Sequence, residues 1–240
     1  MRHDDDMAAP TTQPVRDPLP LSPTPRTTLK RRPDRGSADR QNLYDVLDAA
    51  LICHFGVVID GAPIVLPTAF GFDPDGPDEG GTLYLHGSVA SASLQDVPQR
   101  NVCVTFTVLD GLVLARTGFH HSMNYRCAVV MGQTRRVTDA EEKVRALNLV
   151  VDHAVPGRSK TLRPHSRKEL AATVVLALPL AEASVKGRSG DPVDDQADLD
   201  AGGWAGVVGL RLGATGMDTA ADAHGHEPPA DVRARAAALS

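Results

Sequence analysis

The stretch FHHSMNYR, residues 119–126, sets two histidines, a serine, an asparagine, a tyrosine and an arginine just ahead of the apolar run AVVMG. Polar side chains that lead into a buried strand are either stranded there at a cost or aimed at a ligand. Ser122, Asn124 and Arg126 alternate, so an extended chain puts them on one face. Serine and asparagine can hydrogen-bond the carbonyls and ring nitrogens of a heterocycle, and arginine can pair with phosphate. Histidine as a residue type changes charge near neutral pH, which makes His120 and His121 the candidates for a general acid. Neighbours on a strand point to opposite faces, so at most one of the two reaches a common ligand. No carboxylate or cysteine stands at metal spacing beside them, and no metal site is expected.

Three other stretches carry candidate chemistry. In LYLHGSVASAS, residues 83–93, a strand closes at Gly87, and Ser88 and Ser91 follow where a helix should begin. Free backbone N–H groups and the helix dipole favour an anion there, and the two hydroxyls would add donors. The plainer alternative is that Ser88 only caps the helix. In EASVKGRSGDP, Lys186 and Arg188 alternate, so both can face one pocket; Trp204, the only tryptophan, follows soon after. A tryptophan beside a flavin would cover part of its ring; elsewhere it is core or surface filler. The segment LKRRPDRGSADR is basic, and Arg31, Arg32 and Arg35 are either solvated or packed against an anionic ligand or partner subunit. No P-loop, dinucleotide-binding GxGxxG or serine nucleophile elbow is present, and the glycines from Gly76 to Gly81 stand among acidic residues.

These residues need elements to hold them. Residues 1–40 contain seven of the eighteen prolines and little apolar periodicity, and read as a disordered or loosely docked arm. LYDVLDAALICHFG has helical spacing and a stop at Gly56. VVIDGAPIVLPTAF holds two strand-like runs around Asp60-Gly61, a hairpin signal because glycine tolerates positive φ. The same device is expected at Asp110-Gly111 in NVCVTFTVLDGLVLART. TLYLHG is a strand, SVASASLQDV a short helix, and YRCAVVMGQTRRV a long strand. Thr138 with Glu141, and Ser166 with Glu169, are capping-box pairs that start two helices. TVVLALPLAEASVKGR is at least partly strand. Hairpins dominate and helices do not alternate with strands, which argues for a mainly β fold: a closed or half-closed barrel with peripheral helices. The domain spans 41–212, and residues 213–240 form a flexible tail.

Only 4% of residues are aromatic, so aliphatic side chains must fill the core. A net charge of −5 gives no general footprint for nucleic acid. Cys53, Cys103 and Cys127 are far apart, odd in number and flanked by apolar residues, as reduced thiols in a cytoplasmic protein are. No secretory signal and no apolar run long enough for a bilayer appears.

Read in order, CHFGVVIDGAPIVLPT, LYLHGSVAS, VCVTFTVLDGLVLARTGFHHSMNYRCAVVMG, VDHAVPGR, EASVKGRSGDP and WAGVV resemble the flavin-nucleotide-binding branch of the pyridoxamine 5'-phosphate oxidase-like superfamily. That branch includes nitroimidazole-resistance reductases. The resemblance implies a six-stranded antiparallel split β-barrel, a homodimer, and FMN at the dimer interface. It places His86, Gly87, Ser88 and Ser91 on the cofactor-contacting strand and turn, with the two serines near the phosphate and Thr68 beside the isoalloxazine. Ser122, Asn124, Tyr125 and Arg126 match a second cofactor-lining strand; Lys186, Arg188 and Trp204 would approach from the C-terminal side. The chain departs from the usual motif at Cys127 and Val185, and it lacks the substrate-binding motifs of the pyridoxamine phosphate oxidases proper. The implied activity is FMN-dependent electron transfer from a small reduced donor to a small acceptor such as a nitroaromatic or quinone. A non-catalytic flavin carrier or sensor, or the same barrel holding haem or a deazaflavin, are the alternatives.

Overall fold

A computed structural model of the chain describes residues 20, 21, 23–91, 94, 100–223 and 225–240. The strands are β1 (Gly36–Ser37), β2 (Cys53–Ile59), β3 (Ala62–Thr68), β4 (Phe70–Asp73), β5 (Thr82–Ser88), β6 (Asn101–Leu114), β7 (Ser122–Gln133), β8 (Arg135–Arg136), β9 (Thr173–Pro179), β10 (Ala183–Arg188) and β11 (Gly206–Gly209). The helices are α1 (Arg40–Ala49), α2 (Ala140–Ala154), α3 (Arg167–Ala172), α4 (Gln196–Ala201) and α5 (Ala230–Leu239). One sheet runs β1-β10-β7-β6-β2-β3 with β11 also paired to β6; the other runs β4-β5-β9-β8. All pairings are antiparallel. The result is a split β-barrel with peripheral helices. There are more strands than the six expected, because the chain leaves the first sheet at Thr68, enters the second at Phe70, and adds short pairings at β1, β8 and β11.

One core lies between the sheets. Phe55, Val104, Phe106, Ala128 and Val130 reach it from the first sheet, and Phe70, Leu83, Leu85, Leu176 and Leu178 from the second. The period-2 alternation of β6 follows from this, since one face is buried and the other is not. β9 reads TVVLALP without alternation because both of its faces are covered. Its second face joins Tyr84, Val137, Ala146 and Leu147 in a smaller cluster under α2. α2 also approaches β4 at Gly71, where a Cβ would sit 2.6 Å from the Val150 nitrogen, so only glycine lets helix and strand meet.

Several local signals act as the sequence suggests. Asp60 and Gly61 both have positive φ, 50° and 78°, as a primed hairpin turn between β2 and β3 requires. Ser166 and Glu169 form a reciprocal capping box at α3.

Others are corrected. Asp110-Gly111 is no hairpin: β6 runs straight through it, with a bulge between Leu109 and Gly111. Pairing on both edges of β6 overrides the turn signal, and Gly111 is needed because a Cβ there would meet Val207 of β11 at 2.9 Å. The first helix stops at Ala49, and Cys53–Gly56 belongs to β2, whose inward face needs Cys53 and Phe55. The α2 cap is Asp139, which accepts from Glu142 N–H at 2.7 Å, rather than Thr138 with Glu141.

The expected helix over SVASASLQDV falls mostly outside the described residues, as does the arm up to Leu19. The described part of that arm packs on the barrel. Leu21 is buried and its N–H donates to Ala38 at 2.7 Å, β1 pairs β10, and Thr24 and Arg26 both bond Glu182. The tail read as flexible holds α5, tied back by Arg235 donating to the Ala154 carbonyl at 2.9 Å and by Arg158 facing Asp231. That bond satisfies a carbonyl left open at the end of α2.

Candidate functional site

A cavity of about 1110 Å³ opens where β7 begins and β10 ends. Its walls are the turn at Arg31–Arg35, the residues Phe119 to Ser122, and the stretch from Lys186 to Val193. Five cationic side chains (Arg31, Arg32, Arg35, Lys186 and Arg188) face two carboxylates, Asp34 and Asp191. In a chain of net charge −5 this is a strong local concentration of positive charge, and concave positive sites focus field on anions.

The fold builds these walls from three distant segments. β10 pairs β7 so that Lys186 lies opposite Cys127 and Arg188 opposite Tyr125. β1 pairs β10 in turn, Gly36 opposite Lys186, which brings the basic turn to the cavity rim. There the Lys186 ammonium donates to the Arg31 carbonyl at 3.3 Å. The far wall is pinned by Asp194, whose buried carboxylate accepts from the Arg116 backbone at 3.0 Å and its guanidinium at 2.9 Å.

The predicted residues divide into groups. His120, His121, Ser122, Lys186 and Arg188 line the cavity together. His121 donates Nδ1–H to the Thr117 carbonyl at 2.7 Å, which fixes its ring. His120 stacks edge-on against Phe119 with centroids 5.1 Å apart. Asn124 lies just behind the cavity, buried, donating to Gly190 at 3.1 Å and accepting from Arg188. It therefore positions Arg188 rather than lining the cavity wall. Arg126 is turned to Asp110 at 2.8 and 3.1 Å and borders a smaller cavity of about 280 Å³, shared with Arg35 and Lys186. Tyr125 faces the opposite side of β7 from Asn124.

Thr68, His86, Gly87, Ser88 and Ser91 are elsewhere. Thr68 ends β3, and His86 to Ser88 end β5 in the second sheet. The Ser88 hydroxyl accepts from Ala90 N–H at 3.2 Å, so it caps its own turn. A Cβ at Gly87 would meet Leu94 at 2.3 Å, so this glycine makes room for Leu94. His86 lies opposite Val175, on the sheet face covered by α2. Its Nδ1 is buried with no hydrogen-bond partner among the described residues, and burial holds its pKa below the usual histidine range, which favours the neutral ring. Trp204 is 68% exposed at the head of β11, packed over Gly206 and outside the large cavity.

Some site residues escaped the sequence reading. Asp195 and Asp198 come within 4.8 Å of His120, although no carboxylate stands near it in sequence. Asp194, which pins the wall, sits in the same run, GDPVDDQADLD, where acidity was the only visible signal.

The family model described as pyridoxamine 5'-phosphate oxidase matches residues 39–187. No curated protein matches the chain. Among solved structures, the flavocytochrome Anf3 from Azotobacter vinelandii is 33% identical with a TM-score of 0.81, covering 90% of this chain and 98% of its own. A FAD- and haem-binding protein from Mycobacterium smegmatis is 36% identical with a TM-score of 0.77, covering 84% and 97%. A candidate 5-nitroimidazole antibiotic resistance protein from Bacteroides thetaiotaomicron is 27% identical with a TM-score of 0.50, covering 63% and 85%. With the split barrel, the cationic cavity and this match over most of its length, the chain belongs to the pyridoxamine 5'-phosphate oxidase-like family.

Proposed function

We propose that this protein is a redox protein that binds both a flavin and haem. The observation that carries the reading is that relatives 33% and 36% identical over most of the chain are a flavocytochrome and a FAD- and haem-binding protein. The residues fit both groups. The cationic cavity suits a flavin phosphate, with Lys186 and Arg188 as charged donors and Ser122 as a neutral one. His86 supplies what haem needs, a neutral imidazole with a buried nitrogen that no described residue engages. When bound, the flavin supplies two-electron chemistry and the haem one-electron chemistry. The chain's part is to hold them: Asn124 orients Arg188, and His121 is locked by Thr117.

Haem binding is tested by the absorbance of the purified protein. Flavin bands and a Soret band are expected together, and His86→Ala should lose the Soret band while keeping the flavin bands. A wild-type protein with flavin bands alone after haem is supplied would refute the haem half. In that event the protein is an FMN-dependent electron-transfer protein, the activity that the resemblance of its motifs implies. Turnover of a reduced nicotinamide with a nitroaromatic or quinone acceptor tests it.

A homodimer is part of this proposal. On the outer face of the first sheet, Val58, Val65, Leu109, Met123 and Val208 are 50, 63, 47, 48 and 45% exposed. Apolar side chains gathered on one sheet face mark an association surface. A second copy there would also supply cofactor contacts that one chain divides between two sheets. The double substitution Leu109→Glu with Val208→Glu should convert a dimer to a monomer in sedimentation velocity. A wild-type monomer at micromolar concentration would refute the dimer.

A further inference from the structure

We infer that His120, Asp195 and Asp198 form a binding site for one divalent transition-metal ion of the zinc type, at the edge of the large cavity. The inference does not depend on which cofactor the barrel carries. Three observations support it.

The first is the donor set. One imidazole nitrogen and two carboxylate oxygens lie within 4.8 Å of one another. Zinc takes such mixed nitrogen and oxygen ligands, whereas magnesium and calcium prefer oxygen alone. The histidine comes from the segment just before β7 and the carboxylates from the start of α4. His120 and Asp195 are 75 residues apart, which is why the sequence gave no reason to expect a metal.

The second is spacing. His120 Nε2 and Asp195 Oδ2 are 3.4 Å apart. A charge-assisted hydrogen bond would draw them to about 2.7–2.9 Å. Two ligands bonded at about 2.0–2.1 Å to one tetrahedral zinc ion stand about 3.3–3.4 Å apart. Asp195 also occupies the N-cap of α4 without making a capping bond, so its oxygens are not engaged by the helix. Its side chain is 82% exposed, which leaves water free to supply the fourth ligand.

The third is that both halves of the site are held. The buried carboxylate of Asp194 accepts from the Arg116 backbone and guanidinium at 3.0 and 2.9 Å. That bond ties the residue beside Asp195 to the segment leading to His120. The His120 ring itself packs edge-on against Phe119. Surrounding contacts that orient ligands raise metal affinity. A bound ion would clasp two walls of the cavity, Phe119 to Ser122 on one side and the stretch ending at Val193 on the other.

The test is calorimetric titration of the full chain, freed of metal by EDTA, with zinc chloride and separately with magnesium chloride. The wild type should bind one zinc ion per chain at this site, at least ~10-fold more tightly than magnesium. His120→Gln, Asp195→Asn and Asp198→Asn should each weaken zinc binding at least ~10-fold. His165→Gln, at a histidine that bonds Asn148 instead, should leave it unchanged. Zinc should also raise the Tm of the wild type, by mass action, and not that of the Asp195→Asn, Asp198→Asn double variant. NMR of the wild type needs no variant: zinc should shift the His120 ring signals and leave those of His165 in place. Zinc binding that survives all three substitutions, or magnesium binding as tight as zinc, overturns the assignment. A wild type that takes up no zinc, or His120 signals that zinc does not move, overturns it as well.

Discussion

Phe70→Ala should lower the unfolding free energy by about 3–5 kcal/mol, the range for deleting a fully buried aromatic ring. Phe70 is wholly inaccessible at the start of β4, where the chain passes from one sheet to the other. Its ring meets Phe106 edge-on at 4.9 Å and His153 at 4.2 Å, so it joins both sheets to α2. Urea unfolding measures this as a drop in midpoint at unchanged slope. Phe119→Ala, whose ring is 90% exposed, should change stability by no more than about 0.5 kcal/mol. A loss at Phe70 no larger than that would contradict the assigned core.

His153 gives the same cluster a pH dependence. Burial is the main influence on the ring and, although Nε2–H bonds the Ala50 carbonyl at 2.6 Å, the net effect holds its pKa below the ordinary value. The unfolded chain therefore binds more protons just below its reference pKa of about 6.5, and stability falls as pH drops through that region. His153→Gln should flatten that slope.

Arg135→Ala is the second large effect, and it acts by leaving carboxylates unpaired. The guanidinium of Arg135 reaches Asp78 at 2.8 and 3.0 Å and Glu142 at 2.5 and 2.9 Å, and Tyr84 donates to Glu142 at 3.1 Å. One side chain thus joins the loop before β5, the short β8 and the first turn of α2. Breaking a buried pair costs about 3–5 kcal/mol. Arg135 is 39% exposed at its side chain, so about 2–3 kcal/mol is expected after allowing for solvent screening. Burial pushes the Asp78 carboxyl up, but hydrogen bonds from Arg135 and Thr82 outweigh it and the net pKa is low. The Arg135 hydrogen bond is the main cause for Glu142, whose pKa is also held down against burial. Both groups are more protonated in the unfolded chain at mildly acidic pH. Their stabilisation is complete above about pH 4 and is lost as pH falls further. Arg135→Ala should therefore lower Tm at pH 7 and reduce the loss of Tm on acidification below pH 4. A Tm unchanged at pH 7 would show that the network adds nothing to stability.

Signals confined to a few adjacent residues were legible in the sequence. The Asp60-Gly61 turn and the Ser166–Glu169 capping box are such cases, since their geometry closes within four residues. Asp110-Gly111 carries the same dipeptide as the first turn but lies within a strand paired on both edges. A local preference of about 1 kcal/mol does not survive against that many ladder hydrogen bonds. Thr138 and Asp139 differ by one position, and only the path into α2 decides which caps it.

The same division runs through the site. The alternation of Lys186 with Arg188 and the polar run before β7 already marked them as ligand-facing, and the structure brings both to one cavity with His120, His121 and Ser122. Asn124 also read as polar and ligand-facing, yet its role is set by the loop at Gly190 and by Arg188, which are remote in sequence. The five-cation wall depends on β1 pairing β10 across about 150 residues, and no window of sequence contains that pairing. Composition and short-range pattern determined the β-rich class, the turn types and the polarity of the candidate residues. Tertiary structure alone decided which of them share a cavity, because strand pairing is set by the burial of whole sheet faces and not by any local segment.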